Sequence, residues 1–150
     1  AVALGIGRRA IEELTALAGA KTPSGSRRLL AERPLVQAQV AEAEAGLRAA
    51  RAFLAEAVGE AWEAASRAGV ISTAARALLR LAATHATVSA ARVVDAMYTA
   101  GGGSAIYATS PLQRCFRDVH VATQHVMVAA PTWELAGRVL LGVDTDTTML

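Results

Sequence analysis

Apolar residues recur along this chain at helical spacing, and runs with the strict alternation of strands are nearly absent. Leu4, Ile6, Ile11, Leu14 and Leu17 line one side of a segment from Ala1 to about Ala20, with Arg8, Arg9, Glu12 and Glu13 on its wet side; this is the pattern of an amphipathic helix. From Pro34 to about Ala68, Val36, Val40, Ala43, Leu47, Ala50, Leu54, Ala57 and Ala61 follow one another in steps of four and three. Such a heptad seam predicts a long helix, roughly 50 Å at 1.5 Å per residue, with a near-antiparallel neighbour. Pro34 suits the first helical position, and Gly69 ends the segment. Gly46 and Gly59 weaken it locally and can admit a close neighbour.

A third helix is predicted from about Ser72 to Ala100, with Leu78, Leu81, Val88 and Met97 on its stripe. His85 lies on the same stripe, where a lone histidine is more often a hydrogen-bonded core residue than a ligand. Gly101, Gly102 and Gly103 stop this helix. Ser110, Pro111 and Gln113 then form the pattern of a capping box with proline at the first position. The fourth helix is expected to carry Leu112, Phe116, Val119, Val126 and Met127 inward as far as Pro131. A last helix restarts at Thr132 and reaches Leu141, before Gly142. The polar tail Asp144 to Leu150 is expected to fray. Lys21 to Arg33, with Pro23, Ser24, Gly25 and Ser26, reads as a loop. The sum is an all-α fold, an up-and-down four-helix bundle with a short C-terminal helical extension.

Composition sharpens this picture. Hydrophobic residues make up 53% of the 150, but aromatics only 4%. Alanine is the largest single contributor to the rest, which favours helices that approach closely. The apolar positions exceed what one four-helix core can hide, which predicts a homo-oligomer, dimer or tetramer. A net charge of +2, with no basic helix and no interleaved aromatics, argues against nucleic acid as a partner. No apolar run reaches the roughly 18 residues of a membrane span. One cysteine, Cys115, excludes an internal disulfide and suits a reducing cytoplasm. The chain opens at Ala1 rather than Met, so a fragment or a processed chain is expected.

Candidate chemistry is sparse. The three histidines, His85, His120 and His125, form no metal-ligand pattern, and His120 and His125 are five residues apart, off a common helical face. The triple glycine follows a helix, not a strand, and is no dinucleotide fingerprint. Lys21, Arg27 and Arg28 sit on the loop ahead of the long helix. They read either as a solvated connector or as an anion site, since guanidinium groups suit phosphate oxygens.

The stretch Gly102 to His125, GGSAIYATSPLQRCFRDVHVATQH, resembles the C-terminal domain of the acyl-CoA dehydrogenase superfamily. The matching features are the paired glycines Gly102 and Gly103, Pro111 opening a helix, Arg114, and the pair Arg117-Asp118. Glu32-Arg33-Pro34-Leu35-Val36-Gln37 resembles the entry to that family's long helix. The resemblance implies N-terminal helical and middle β domains elsewhere, with flavin held between the middle domain and this bundle and a neighbouring subunit contributing. It implies Arg27 or Arg28, with Gly102 and Gly103, as contacts to the cofactor, FAD or FMN. This chain alone is then expected to hold flavin poorly. Family dehydrogenases place a catalytic glutamate nine residues after the arginine of the Arg-Asp pair. Val126 stands there and cannot take a proton. The oxygenase branch, which includes p-hydroxyphenylacetate hydroxylase and dibenzothiophene monooxygenase, instead has a histidine eight residues after that arginine, matching His125. The resemblance makes His125 the catalytic candidate, deprotonating a phenol or steadying an oxygenated flavin by hydrogen bonding. It implies a flavin reductase as partner. An acyl-CoA dehydrogenase with its base elsewhere, served by an electron-transfer flavoprotein, is the alternative, and a non-catalytic oligomerisation module is a third. Arg117 and Asp118 are expected to be structural or subunit-contact residues.

Overall fold

The small residues of the first and third helices decide the architecture. The computed structural model describes residues 2–150. They form α1 (Val2–Ala20), α2 (Pro34–Ala68), α3 (Thr73–Gly101), α4 (Pro111–Thr123) and α5 (Pro131–Leu140). Single 3-10 turns occupy Leu30–Glu32 and Gly102–Ser104, and no described residue is in a strand. α3 touches every other helix, whereas α2 and α4 do not meet. The bundle is therefore flattened, with α1 and α3 on its short diagonal. A Cβ added to Gly7 would lie 3.5 Å from the Ala90 Cβ and 2.9 Å from Leu47 Cδ1. Ala10 and Ala90 are fully buried at this seam. Gly7 lies level with Ala90, and Leu17 with Gly101, so α1 and α3 run parallel and α2 and α4 return antiparallel to them.

Leu14, Met97, Leu112, Val94 and Val119 are the largest fully buried apolar side chains. Each contributes roughly 1.5–3 kcal/mol by leaving water. The heptad seam of α2 faces inward as expected: Val36, Ala43, Leu47, Ala50, Ala57 and Ala61 are buried. Ser72 caps α3 through its hydroxyl, which accepts from the Ala75 N–H at 3.2 Å. Gly69 ends α2 at φ 71°. Arg8 pins α1 to α2 by a bidentate contact to Glu44, at 2.6 and 3.0 Å. The hydrogen bonds from Arg8 and Arg48 hold the Glu44 carboxyl down, to about 2 from the ordinary 4.5.

Four local expectations are corrected. The Ser110 side chain makes no capping hydrogen bond; the Pro111 ring presets the first turn without it, and Ser110 lines grooves against α1. α4 stops at Thr123 rather than near Pro131: the Gln124 N–H bonds to the Val121 carbonyl and the His125 N–H to that of Ala122, so the chain tightens into three-residue turns, and the His120 carbonyl is taken by the Thr123 hydroxyl at 2.7 Å. Val126 and Met127 are consequently exposed, at 65% and 40%, not inward. The loop after α1 contains the turn Leu30–Glu32, where Glu32 Oε2 accepts from the Leu29 N–H at 2.7 Å. The tail does not hang free. Arg76 donates to the Thr147 carbonyl at 3.2 Å, Arg80 donates to that of Met149, and Arg138 donates to that of Asp144 at 2.8 Å.

Two outcomes follow for stability. Ala90→Leu forces side-chain volume into the α1–α3 seam and costs about 1–3 kcal/mol in denaturant unfolding, while Ala49→Leu on the exposed face of α2 changes stability by less than about 0.5 kcal/mol. For Glu44 the folded pKa lies below the ordinary value, so its contribution is present above about pH 4.5 and is lost as pH falls toward about 2. Glu44→Gln is therefore less stable than wild type at pH 7, and the gap in melting temperature closes on acidification through that window.

Candidate functional site

Two groups of residues singled out by the sequence lie at opposite ends of α3. At its C-terminal end, Lys21 joins the cationic loop to the glycine turn. The Lys21 Nζ donates to the Gly101 carbonyl at 2.8 Å, and the Lys21 carbonyl accepts from the Leu30 N–H at 2.8 Å. One residue thus closes the loop that carries Arg27 and Arg28 and caps the helix end that carries Gly102 and Gly103. Arg27 and Arg28 are exposed and form no ion pair with described residues. Gly102 has φ +55°, which favours glycine. Gly103 is open where a Cβ would stand, while a Cβ on the buried Gly101 would meet Leu112 Cδ1 at 2.9 Å. Gly101 is thus a packing glycine, and Gly102 and Gly103 present backbone to the outside. Lys21 belongs with the candidate contacts. Its charge and loop position were visible in the sequence, but its bond to residue 101 depends on α1 and α3 being parallel.

At the other end, His125 sits in the turns after α4, exposed. Its Nδ1 accepts from the Met127 backbone N–H at 3.2 Å. A ring nitrogen that accepts carries no proton, so the neutral ring holds its proton on Nε2. This tautomer follows from the hydrogen bond, and Nε2–H makes no hydrogen bond to any described residue. His125 therefore offers a donor to whatever lies in front of it. The same turns are held to α3 by Arg80, whose Nη1 donates to the Met127 carbonyl at 3.2 Å. Beside them is a cavity of about 340 Å³ whose lining includes Arg80, Val126, Leu135 and Met149.

The two groups are far apart. Arg80 and Gly101 are 21 residues apart on α3, which corresponds to about 30 Å. The structure does not bring His125 together with Arg27, Arg28, Gly102 and Gly103 within one chain.

Between these ends lies a pair the sequence did not reveal. His120 Nε2 is 2.8 Å from Asp95 Oδ1, and the His120 ring meets Phe116 edge-on at 4.6 Å. No spacing rule finds it; it appears once α4 folds back on α3 about the glycines. His85 packs edge-on to Phe53 and lies 3.4 Å from the Ser89 hydroxyl, a structural setting. Asp118 is flanked by Arg114 at 3.5 Å and Arg117 at 3.6 Å on the surface of α4. Burial pushes the Cys115 thiol up, which keeps it protonated and unreactive. No three His, Cys, Asp or Glu side chains cluster as metal ligands among the described residues.

The sequence pattern of the family described as acyl-CoA dehydrogenase, C-terminal domain, matches residues 1–130. The chain is 40% identical over 141 residues to indole-3-acetate monooxygenase of Pseudomonas putida, covering 94% of this chain and 36% of that protein. It is 33% identical over 143 residues to the enzyme of the same name from Acinetobacter baumannii, again covering 36% of that protein. The chain thus spans about a third of the length of these relatives. Among solved structures, XiaF from a Streptomyces species, in complex with FADH2 and glycerol, has the same fold, with a TM-score of 0.87 at 23% identity over 95% of this chain and 37% of that one. The HsaA monooxygenase from M. tuberculosis gives a TM-score of 0.84 at 23% identity, over 99% of this chain and 38% of that one.

The Lys21 bridge has a measurable consequence. Lys21→Met leaves the Gly101 carbonyl without its donor. Hydrogen exchange of the Ala105 amide, which bonds to the Gly102 carbonyl, then accelerates by about tenfold, while amides in the middle of α2 keep their protection.

Proposed function

Because the chain belongs to the family of acyl-CoA dehydrogenase C-terminal domains, we propose that it is the helical bundle of a reduced-flavin-dependent monooxygenase acting on a small aromatic or heterocyclic substrate. The observation that carries this reading is His125 on its exposed turn, with Nε2–H unengaged and Val126 where a dehydrogenase needs a carboxylate. The relatives named as indole-3-acetate monooxygenases support it.

The exposed residues fit a flavin nucleotide, FAD or FMN. Arg27 and Arg28 have guanidinium groups without side-chain acids to neutralise them, suited to bidentate grip on phosphate oxygens. Gly102, whose own N–H is held by the Thr99 carbonyl, and Gly103 have no side chains to keep the same anion away from the backbone of the turn, and Lys21 holds loop and turn in register. When bound, the reduced flavin supplies the electrons that activate O2 for insertion into the substrate. His125 contributes a fixed donor. With Nδ1 tied to the Met127 N–H, its Nε2–H stabilises negative charge developing on an oxygen in front of it. This geometry favours the hydrogen-bonding role over the deprotonation of a phenol, which would need an unprotonated Nε2.

Two partners complete the proposal. A flavin reductase supplies reduced flavin in the cytoplasm. Further copies of the chain, as a dimer or tetramer, cover exposed apolar side chains such as Leu35, Val58, Trp62 and Leu141, which are 50–80% exposed. The runner-up is an acyl-CoA dehydrogenase with its base elsewhere; in that case the full protein reduces a dye with acyl-CoA and consumes no oxygen with a reductase. A pure oligomerisation module would leave the full protein colourless.

In the full-length protein, His125→Ala lowers product formation about 10²-fold or more, with flavin binding retained and hydrogen peroxide released instead of product. His125→Asn, which keeps a donor but no basic nitrogen, retains more product than His125→Ala. Wild-type product yield in His125→Ala overturns the assignment of His125, and equal losses in both variants point to a base.

A further inference from the structure

From the contacts around the 124–130 turns we infer that Arg80, on α3, is the positioning residue for His125; this rests on His125 acting as proposed above. α4 has ended at Thr123, so no regular helix orients the histidine. Orientation comes instead from one peptide. The Met127 N–H donates to His125 Nδ1 at 3.2 Å, and the carbonyl of the same residue accepts from Arg80 Nη1 at 3.2 Å. Arg80 Nη1 also touches the Met127 sulfur. Its other terminal nitrogen, Nη2, donates to the Met149 carbonyl of the tail. The guanidinium therefore holds the carbonyl and the sulfur of Met127 through Nη1 and is itself held through Nη2.

The consequence is chemical as well as steric. The Met127 N–H decides which ring nitrogen of His125 carries the proton. An untethered ring would exchange its proton between Nδ1 and Nε2 through solvent and turn about its side-chain bonds, so that a donor would face outward only part of the time. Clamping Met127 to the rigid helix α3 keeps Nδ1 an acceptor and Nε2 a donor. A lysine at position 80 could reach one carbonyl but not hold two in a planar fork. Arg76 supports the same arrangement, donating to the Thr147 carbonyl one helical turn earlier on α3.

The test uses the full-length flavoprotein with its reductase. Arg80→Gln, Arg80→Lys and His125→Ala are compared for product per reduced flavin consumed, KM and kcat for substrate, flavin content and melting temperature. Arg80→Gln is expected to lower product per flavin about tenfold with KM and flavin content unchanged, and Arg80→Lys to recover part of that loss. If Arg80→Gln couples like wild type while His125→Ala does not, Arg80 has no positioning role and the reading of His125 stands. If Arg80→Gln loses flavin and melting temperature and Arg80→Lys recovers nothing, Arg80 is a structural residue and the inference fails. If His125→Ala itself couples normally, the reading of His125 falls and this inference with it.

Discussion

How closely α1 lies on α3 sets everything else in the bundle. Two helices come near only when their facing residues are small. Gly7, Ala10 and Ala90 provide that seam, with the larger Leu14, Val94 and Met97 buried around it. The contact makes α1 and α3 parallel neighbours across the bundle and leaves α2 and α4 no contact with each other. It also brings the end of α1 level with the end of α3, which puts Lys21 within reach of the Gly101 carbonyl. A wider bundle of bulkier residues would separate the cationic loop from the glycine turn, whatever the loop sequence.

The unequal helix lengths explain the other end. α2 has 35 residues and α3 has 29, but α1 has 19 and α4 only 13. The first half of α3 thus outruns α4 and is covered by α5, the turns around His125 and the tail. The turns and the tail are irregular and carry carbonyls without helical partners. Arg76, Arg80 and Arg138 bond to them. Arginine suits this work because its planar fork reaches two acceptors on a long stem. The least regular part of the fold is thereby the part that presents a histidine.

The regular part was legible in the sequence, because one face of each helix is buried and the period shows it. The α2 seam from Val36 to Ala61 and the glycine stops at Gly69 and Gly101 to Gly103 could be read directly. The end of α4 could not. Val126 and Met127 continue an apolar pattern, yet past Thr123 the backbone closes into tight turns, Gln124 onto Val121 and His125 onto Ala122, and the pattern outlives the helix. The tail misled for a related reason: its residues are polar, but its backbone carbonyls make the contacts, and composition does not report those. Of the proposed site, Arg27, Arg28, Gly102, Gly103 and His125 were named by resemblance. Lys21 and Arg80 act through carbonyls far away in sequence, at residues 101 and 127, and needed the packed helices to be seen.

The separation of the two ends bears on how a site could be completed. About 30 Å divides the glycine turn from the His125 turns along α3, as wide as a small domain, too far for one bound cofactor to touch both in a single chain. If both sets of residues serve flavin, they serve different molecules of it, or the same molecule from different copies of the chain. The second arrangement requires copies to meet, and the exposed Val58, Trp62, Val126 and Leu141 supply apolar surface for contact at the His125 end and along α2. In the proposed enzyme, one chain then grips the phosphates through Arg27, Arg28 and the glycines, while another brings its His125 to the reacting end. Association would be part of the catalytic apparatus, because a lone chain holds each half of the site without its complement.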